Sequence, residues 1–348
     1  MLAWSDGTSH WHCHAEHGCH RPAGFCACVN HCSPSVSVPL HLAASISNPK
    51  LVSWLISNDA GAESALDDGT TALHCACQTS DGCNMATVLL EHMASPVHRT
   101  RRCDSGVTDI TVLHDTSKFA DLCTICVLLK HFVDVNAVTN MGLTALHIAA
   151  KRGLADIVAA LLSHGARTDV PASDVKGSSV CPMHCAVEHN HPDVVARLLN
   201  AGASANAGRS YSGWENVTCL HLAAMRQNVE MVRQLLCVPS IDANACDSEN
   251  ATALHVAARC GFADIAELLL QHGVDVGIGM TSGQSSNQTA LHCAVRYRHM
   301  EVARMLLAAG ADANATEKMA ACKVPSGELI IIMIIIIIII IIIIIIIT

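Results

Sequence analysis

The chain has 348 residues, a formal net charge of -9 at pH 7 and 51% hydrophobic residues. Its 30 acidic residues outnumber its 21 Lys and Arg residues, and no basic stripe is present. This argues against nonspecific nucleic-acid binding, because phosphate contacts require clustered Lys and Arg. One short basic cluster, residues 98–102, falls between two predicted helices and is expected to be a solvated loop.

The N-terminal segment, residues 1–37, is dense in Cys and His, whose thiolates and imidazoles could bind zinc. No spacing within it matches a defined zinc finger. Residues 6–18 instead match a phrase that recurs along the rest of the chain. We therefore expect a degenerate or disordered first repeat, with zinc binding as the alternative.

From residue 38 onward, a phrase of the form Thr-Ala-Leu-His recurs eight times with variations, once with Met in place of Leu. Its histidines lie 33 to 40 residues apart, and a period of this kind indicates stacked structural units. The eight histidines are His41, His74, His114, His147, His184, His221, His255 and His292.

The fourth unit shows the expected local structure most clearly. Thr144 suits a helix N-cap, because its hydroxyl can accept a backbone N–H of the first turn, and Gly153 is expected to end that helix. A second helix is predicted over about residues 154–163, followed by Gly165 as a left-handed cap. Two helices of this length cannot bury their apolar faces alone, so each pair needs neighbours.

With this phrase and period, the chain resembles the ankyrin-repeat family over residues 38–316. The resemblance implies an all-α ankyrin-repeat solenoid of paired antiparallel helices with short hairpin fingers, in eight repeats. It also implies that each repeat histidine hydrogen bonds within its own turn and toward the adjacent repeat, without catalysis. Family members serve as scaffolds, as substrate receptors of ubiquitin ligases and as cytoplasmic regions of channels.

Residues 317–328 are predicted to be a linker and residues 329–348 a poly-isoleucine tail. The apolar run from Leu329 to Ile347 is just long enough to span a bilayer, so a tail anchor is one alternative. Its nearly uniform composition favours a translated trinucleotide repeat or a gene-model artefact. Because no polar capping repeat is recognisable after residue 316, we expect a fragment of a longer protein.

Nineteen cysteines without an N-terminal secretory signal predict reduced thiols in a cytoplasmic protein, with a tail-anchored membrane protein as the alternative. Cys75, Cys185 and Cys293 directly follow repeat histidines, where a small apolar residue is expected. Cys123 and Cys126 have the spacing of a redox or metal pair. Their place on a predicted second helix favours core packing instead.

The P-loop, GxSxG and HExxH motifs are all absent from the sequence. We therefore expect no catalytic, cofactor-binding or metal-binding residues, no cofactor and no small-molecule substrate. Gly277, Gly279 and Gly283 are spaced unlike a dinucleotide-binding fingerprint and are predicted to be loop glycines.

The extra residues of the longer repeats fall between the second helix of one repeat and the first helix of the next, where hairpin fingers are expected. Insertions confined to one face often mark a binding face. The finger over residues 208–214 is the best candidate, because Arg209, Tyr211 and Trp214 could anchor a partner. Alternatively, Trp214 packs back onto its own hairpin.

These features predict a noncatalytic scaffold or adaptor that binds one or more proteins, and no nucleic acid, through its fingers and concave helices. The alternative is the ankyrin region of a larger membrane-associated or ubiquitin-ligase adaptor protein. A membrane is an expected partner only if the isoleucine tail is real.

Four asparagines lie in a D/S-x-N-A hairpin phrase with a leucine eight residues upstream, which resembles the asparagine-hydroxylation context of ankyrin arrays. The alternative, which we favour, is that asparagine stabilises the hairpin turn. The four are Asn136, Asn206, Asn244 and Asn314.

Overall fold

The computed structural model describes residues 38–79, 81–100, 107–119, 121–131, 133–173, 179–211, 213–282 and 285–319. The predicted Cys/His-rich segment 1–37, residues 320–328 of the predicted linker and the isoleucine tail lie outside these residues. The chain divides into two compact units, Met1–Tyr211 and Ser212–Thr348. Both units are built from helix pairs.

The described part of Met1–Tyr211 contains five helix pairs, one for each repeat. First helices pack on the first helices of neighbouring repeats and second helices pack likewise, so consecutive pairs share one apolar core. The helices are α1 (Pro39–Ser45), α2 (Pro49–Ser57), α3 (Ala72–Ala76), α4 (Gly82–Glu91), α5 (Val112–Phe119), α6 (Leu122–Leu129), α7 (Ala145–Arg152), α8 (Ala155–Ser163), α9 (Pro182–Glu188) and α10 (Pro192–Asn200).

The described part of Ser212–Thr348 contains three further helix pairs that pack in the same way. Within the residues described in both units, no helix is long and apolar enough to cross a membrane. The helices of the second unit are α11 (Cys219–Met225), α12 (Val229–Leu236), α13 (Ala253–Cys260), α14 (Ala263–Gln271), α15 (Ala290–Arg296) and α16 (Met300–Ala308).

Helix α7 begins and ends at the predicted residues. The Thr144 hydroxyl oxygen accepts the backbone N–H of His147 at 3.4 Å, and the Thr144 N–H donates to His147 Nδ1 at 3.1 Å. Gly153 ends the helix with a φ of +73°, a left-handed conformation that glycine adopts without strain. A Cβ on Gly153 would also collide with the imidazole of His191. Gly165, at a φ of +84°, follows α8 as predicted.

The same repeat shows where the core lies. Helix α8 buries the adjacent residues Ile157 and Val158 together with Leu161 one turn later, while α7 buries Leu146 completely. The two helices pack against each other and against the equivalent helices of the adjacent repeats. The apolar face of each pair is therefore covered by its neighbours, as the helix lengths require.

The predicted fingers contain short antiparallel strands. In the first unit, β1 (Ala172–Ser173) pairs with β2 (Ser179–Val180), and β3 (Arg209–Tyr211) lies beside β2. In the second unit, β4 (Trp214–Val217) is followed by a three-stranded sheet of β5 (Gly279–Ser282), β6 (Ser285–Thr289) and β7 (Lys318–Met319), in that order. The inserted residues of these repeats thus form hairpins.

The prediction of loop glycines is wrong for Gly279. This residue begins β5, where a Cβ would collide with Asn287 on β6, so the close pairing of the two strands requires glycine. Gly277 lies in a turn, as predicted, and Gly283 lies outside the described residues.

Asparagine adopts a left-handed backbone conformation at one position in each of three fingers of the second unit. Asn216, Asn250 and Asn287 have φ values of +59°, +59° and +63°. Asparagine tolerates this conformation better than most residues, and its side chain adds a hydrogen bond that glycine could not make. The Nδ2 groups donate to the carbonyls of Cys246 at 2.6 Å, Gly279 at 2.8 Å and Thr316 at 3.0 Å, respectively.

Candidate protein-binding surface

The repeat histidines connect adjacent repeats, as the family resemblance implied. The Thr144 hydroxyl lies 2.8 Å from His147 Nδ1, and His147 Nε2 lies 3.1 Å from the carbonyl oxygen of Val180. Because a carbonyl only accepts hydrogen bonds, Nε2 carries the proton and Nδ1 is the acceptor. The hydrogen bond from Nε2 to the backbone carbonyl of a residue further along the chain recurs at His41, His114, His184, His221 and His255.

Burial keeps these rings neutral. It lowers the pKa of His147, His184 and His255 to about 4, because a charged imidazole loses its hydration there. The carbonyl hydrogen bonds oppose this effect only in part. The histidines therefore serve as uncharged connectors near neutral pH.

One repeat replaces the threonine of this arrangement by cysteine. Cys181 Sγ lies 2.8 Å from His184 Nδ1, beside a cavity of about 150 Å³. Burial raises the pKa of the Cys181 thiol and lowers that of His184 to about 4, so both shifts oppose a reactive thiolate. The thiol takes the place of the threonine hydroxyl. Among the described residues, no three His, Cys, Asp or Glu side chains form a candidate metal site.

Arg209 differs from the exposed anchor that the sequence suggested. Its side chain is only 3% exposed, and Nη1 donates to Glu188 Oε2 at 2.8 Å. The guanidinium carbon also lies 4.8 Å from the centre of the Tyr211 ring. Arg209 thus connects strand β3 to helix α9, and its guanidinium packs against one face of the Tyr211 ring.

The two aromatic residues of this finger are each half-buried. Tyr211 packs on Arg209, and Trp214 packs on Arg259, whose guanidinium carbon lies 5.0 Å from the centre of the Trp214 ring. Arg259 belongs to α13, so Trp214 contacts a helix in addition to its own strand. Both rings are held by an arginine and keep part of their surface accessible.

A second ion pair repeats the Arg209 arrangement with the charges exchanged. Arg296 in α15 donates to Glu317 at 2.8 and 2.9 Å, and Glu317 also accepts from Gln288 at 2.5 Å. Glu188 and Arg296 both lie four residues after a repeat histidine, and Arg209 and Glu317 both lie 25 residues after it. Each pair therefore links the end of a first helix to the next finger.

The hydroxylation candidates lie in finger turns. The Asn136 amide donates to the Gly165 carbonyl at 3.1 Å and accepts from the Arg167 N–H at 2.8 Å. The Asn244 amide oxygen likewise accepts the N–H of Asp275 at 2.8 Å. Asn314 donates its backbone N–H to Asp312 at 2.8 Å, and Asn206 lies in a turn. These contacts support the turn-stabilising interpretation, while hydroxylation stays a prediction.

The prediction that all cysteines are reduced is wrong for one pair. Cys83 and Cys123 form a disulfide with a Cα–Cα distance of 5.4 Å. Core packing is also wrong for Cys123, whose side chain is exposed, because the start of α6 lies at the surface. Cys185 and Cys293 are buried as predicted, and Cys75 is half-buried. The missed signal is that Cys83 and Cys123 occupy the same position in consecutive repeats, nine residues after the histidine.

Comparisons with known proteins agree with this architecture. Models described as ankyrin repeats match residues 12–100, 113–209 and 220–317, and a second such model matches residues 183–236. No curated protein matches the sequence. The crystal structure of the human ASB11 ankyrin repeat domain is similar, with a TM-score of 0.54 and 21% identity, over 69% of this chain and 99% of that one. The chain belongs to the ankyrin-repeat family.

Proposed function

We propose that the chain is a noncatalytic scaffold or adaptor that binds one or more proteins through its fingers and concave helices. Ankyrin repeats are generally protein–protein interaction modules. The observation that carries the proposal is the contrast between a uniform interior and varied fingers. Each described repeat buries the Leu or Met before its histidine, whereas the fingers differ in length, strand content and side chains.

Tyr211 and Trp214 are the proposed contact residues, with Arg209 supporting Tyr211 and Arg259 supporting Trp214. Tyr and Trp are enriched among residues that dominate binding energy, and rings that are already held in place lose little freedom on binding. Each ring here is held by one arginine and is half-exposed. Arg209 itself is too deeply buried to contact a partner.

Affinity capture with the full chain tests this proposal. The Tyr211→Ala, Trp214→Ala double variant is expected to lose partners that wild type retains, because both aromatic contacts are removed. A matched control is Trp54→Ala with Tyr297→Ala, since these rings are 55% and 51% exposed and lie outside the fingers. If the finger variant, the control and wild type retained identical partners, the finger site would be wrong.

The cellular setting is part of the same proposal: we place the protein in the cytoplasm, with a tail-anchored membrane protein as the alternative. A fluorescent tag at the N-terminus of the full chain should give a diffuse cytoplasmic signal. Membrane localisation that disappears when residues 329–348 are deleted would favour the anchor instead.

The hydroxylation of finger asparagines is a separate proposal. Its sites are Asn136, Asn206, Asn244 and Asn314, whose leucine context supports it. Peptide mass spectrometry of the protein from its native cells should show one added oxygen on at least one of the four. Unmodified peptides at all four positions would remove the proposal.

A further inference from the structure

A single repeat position distinguishes two neighbouring repeats from the others. The ninth residue after each repeat histidine is the second residue of the second helix. An acidic side chain at this position interacts favourably with the partial positive charge at the N-terminus of the helix. The last five repeats each have an acidic residue there. The residues are Lys50, Cys83, Cys123, Asp156, Asp193, Glu230, Asp264 and Glu301.

Repeat stacking brings the two cysteines together. Helix α4 packs on α6, so equivalent positions of the two helices become neighbours. The Cα atoms of Cys83 and Cys123 are 5.4 Å apart, within the range of a disulfide. Gly82 permits this approach, because a Cβ there would lie 2.9 Å from Thr124 Oγ1 and 3.2 Å from Asp121 Oδ2.

The position of the pair also makes it accessible from solvent. The side chain of Cys123 is exposed and that of Cys83 is half-buried. By contrast, Cys185 and Cys293 are buried, and burial raises the pKa of both thiols. An oxidant or a reducing thiol can therefore reach Cys123 without unfolding of the repeat core.

We propose that Cys83 and Cys123 form a reversible redox lock between their two repeats, closed by hydroperoxide and opened by a small thiol such as glutathione. The bond closes a loop that holds the rest of α4, the following finger and α5. Closing that loop restricts the opened states of the two repeats and leaves the native contacts in place.

Hydrogen peroxide closes the bond in two steps. The Cys123 thiolate attacks one peroxide oxygen, forming a sulfenic acid and releasing hydroxide, which is protonated to water. The Cys83 thiol then attacks the Cys123 sulfur, forming the S–S bond and releasing a second water. For reduction, a glutathione thiolate attacks Cys123 and releases the Cys83 thiolate. A second glutathione thiolate then attacks the glutathione sulfur of the mixed disulfide, which releases the Cys123 thiolate and oxidised glutathione.

Peptide mapping after differential alkylation tests the chemistry in the folded full chain. Reduced protein is treated with hydrogen peroxide and then with reduced glutathione. We expect Cys83 and Cys123 to lose alkylation together, as one linked peptide pair, and to regain it with glutathione. The exposed Cys237 and Cys260 serve as internal controls that do not enter this pair.

Trypsin cleavage after Lys118 in α5 reports the structural effect, because this site lies inside the closed loop. Oxidised wild type should be cleaved there at least about threefold more slowly than reduced wild type. Cleavage after Arg304, in the second unit, should not depend on redox state. The Cys83→Ser variant should lose the redox dependence at Lys118, and Cys126→Ser should retain it.

Three results would each overturn the redox lock. One is a bond from Cys123 to Cys126 or to another cysteine. Another is a Cys83–Cys123 bond that glutathione leaves intact in the folded protein. The third is an equal rate of Lys118 cleavage in the oxidised and reduced protein.

Discussion

In repeat histidines such as His147 and His255, the two ring nitrogens bond to different segments of the array. At His147, Nδ1 accepts from Thr144 at the start of α7, while Nε2 donates to Val180 in the next finger. The ring must be neutral to accept and donate in this way. The recurrence of histidine at this repeat position is therefore explained by hydrogen bonding and does not require a catalytic role.

Neutral buried histidines predict a loss of stability in acid. Burial lowers the pKa of His147, His184 and His255 from 6.5 to about 4, so the unfolded chain binds more protons than the folded protein between these values. Stability is complete above pH 6.5 and falls as the pH drops toward 4, by up to about 3 kcal/mol for each histidine. Urea unfolding at several pH values measures this. A His147→Gln variant should show a shallower dependence, and an unchanged slope would contradict the assignment.

At the scale of elements, the fingers are attached to first helices by ion pairs in two places. Glu188 and Arg209 form one pair, and Arg296 and Glu317 form the other with reversed charges. The protein thus accommodates either charge order at one repeat position. The Arg209 pair is the more deeply buried of the two, with side chains 3% and 21% exposed.

Exchanging the charges of the buried pair should therefore be tolerated. Arg209→Glu or Glu188→Arg alone places like charges together and should cost about 3 kcal/mol or more. The double exchange reproduces the order of Arg296 and Glu317, so it should recover most of that loss. Urea unfolding of the four proteins forms a double-mutant cycle. Additive losses in the double variant would show that the pair does not connect the helix and finger.

The local features that the sequence alone predicted are decided within one repeat. Thr144, Gly153 and Gly165 act through residues a few positions away, so their roles could be predicted from one phrase. The burial of Arg209 and the bond of Cys83 depend on which residue faces them across elements or repeats. Comparing equivalent repeat positions would have found the cysteine pair, because stacking places those positions side by side.

At the scale of the whole molecule, the stability of a repeat depends on its packing against neighbouring repeats. Within each unit, the helix pairs pack against the pairs next to them, so neighbouring repeats share an apolar core. Loss of one buried side chain is therefore felt beyond its own helix. The fingers carry less of this shared core and can vary with less effect on folding.

Leu146 provides the most direct test of the shared core, because its side chain is completely buried in α7. Leu146→Ala should lower the free energy of unfolding by about 2 to 5 kcal/mol through the cavity that it leaves. Thermal unfolding followed by circular dichroism measures the change. Leu307→Ala is a matched control, because Leu307 is 46% exposed, and it should cost much less. An unchanged melting midpoint for Leu146→Ala would rule out the packing model.

If the histidines shape the scaffold and the fingers bind, stability and affinity will respond to different substitutions. The decisive measurement is the affinity of one partner captured by wild type for two variants, at a temperature where both are folded. His147→Gln should bind within about twofold of wild type, whereas Tyr211→Ala with Trp214→Ala should bind at least about tenfold more weakly. A folded His147→Gln variant that loses binding while the finger variant retains it would contradict this division of roles.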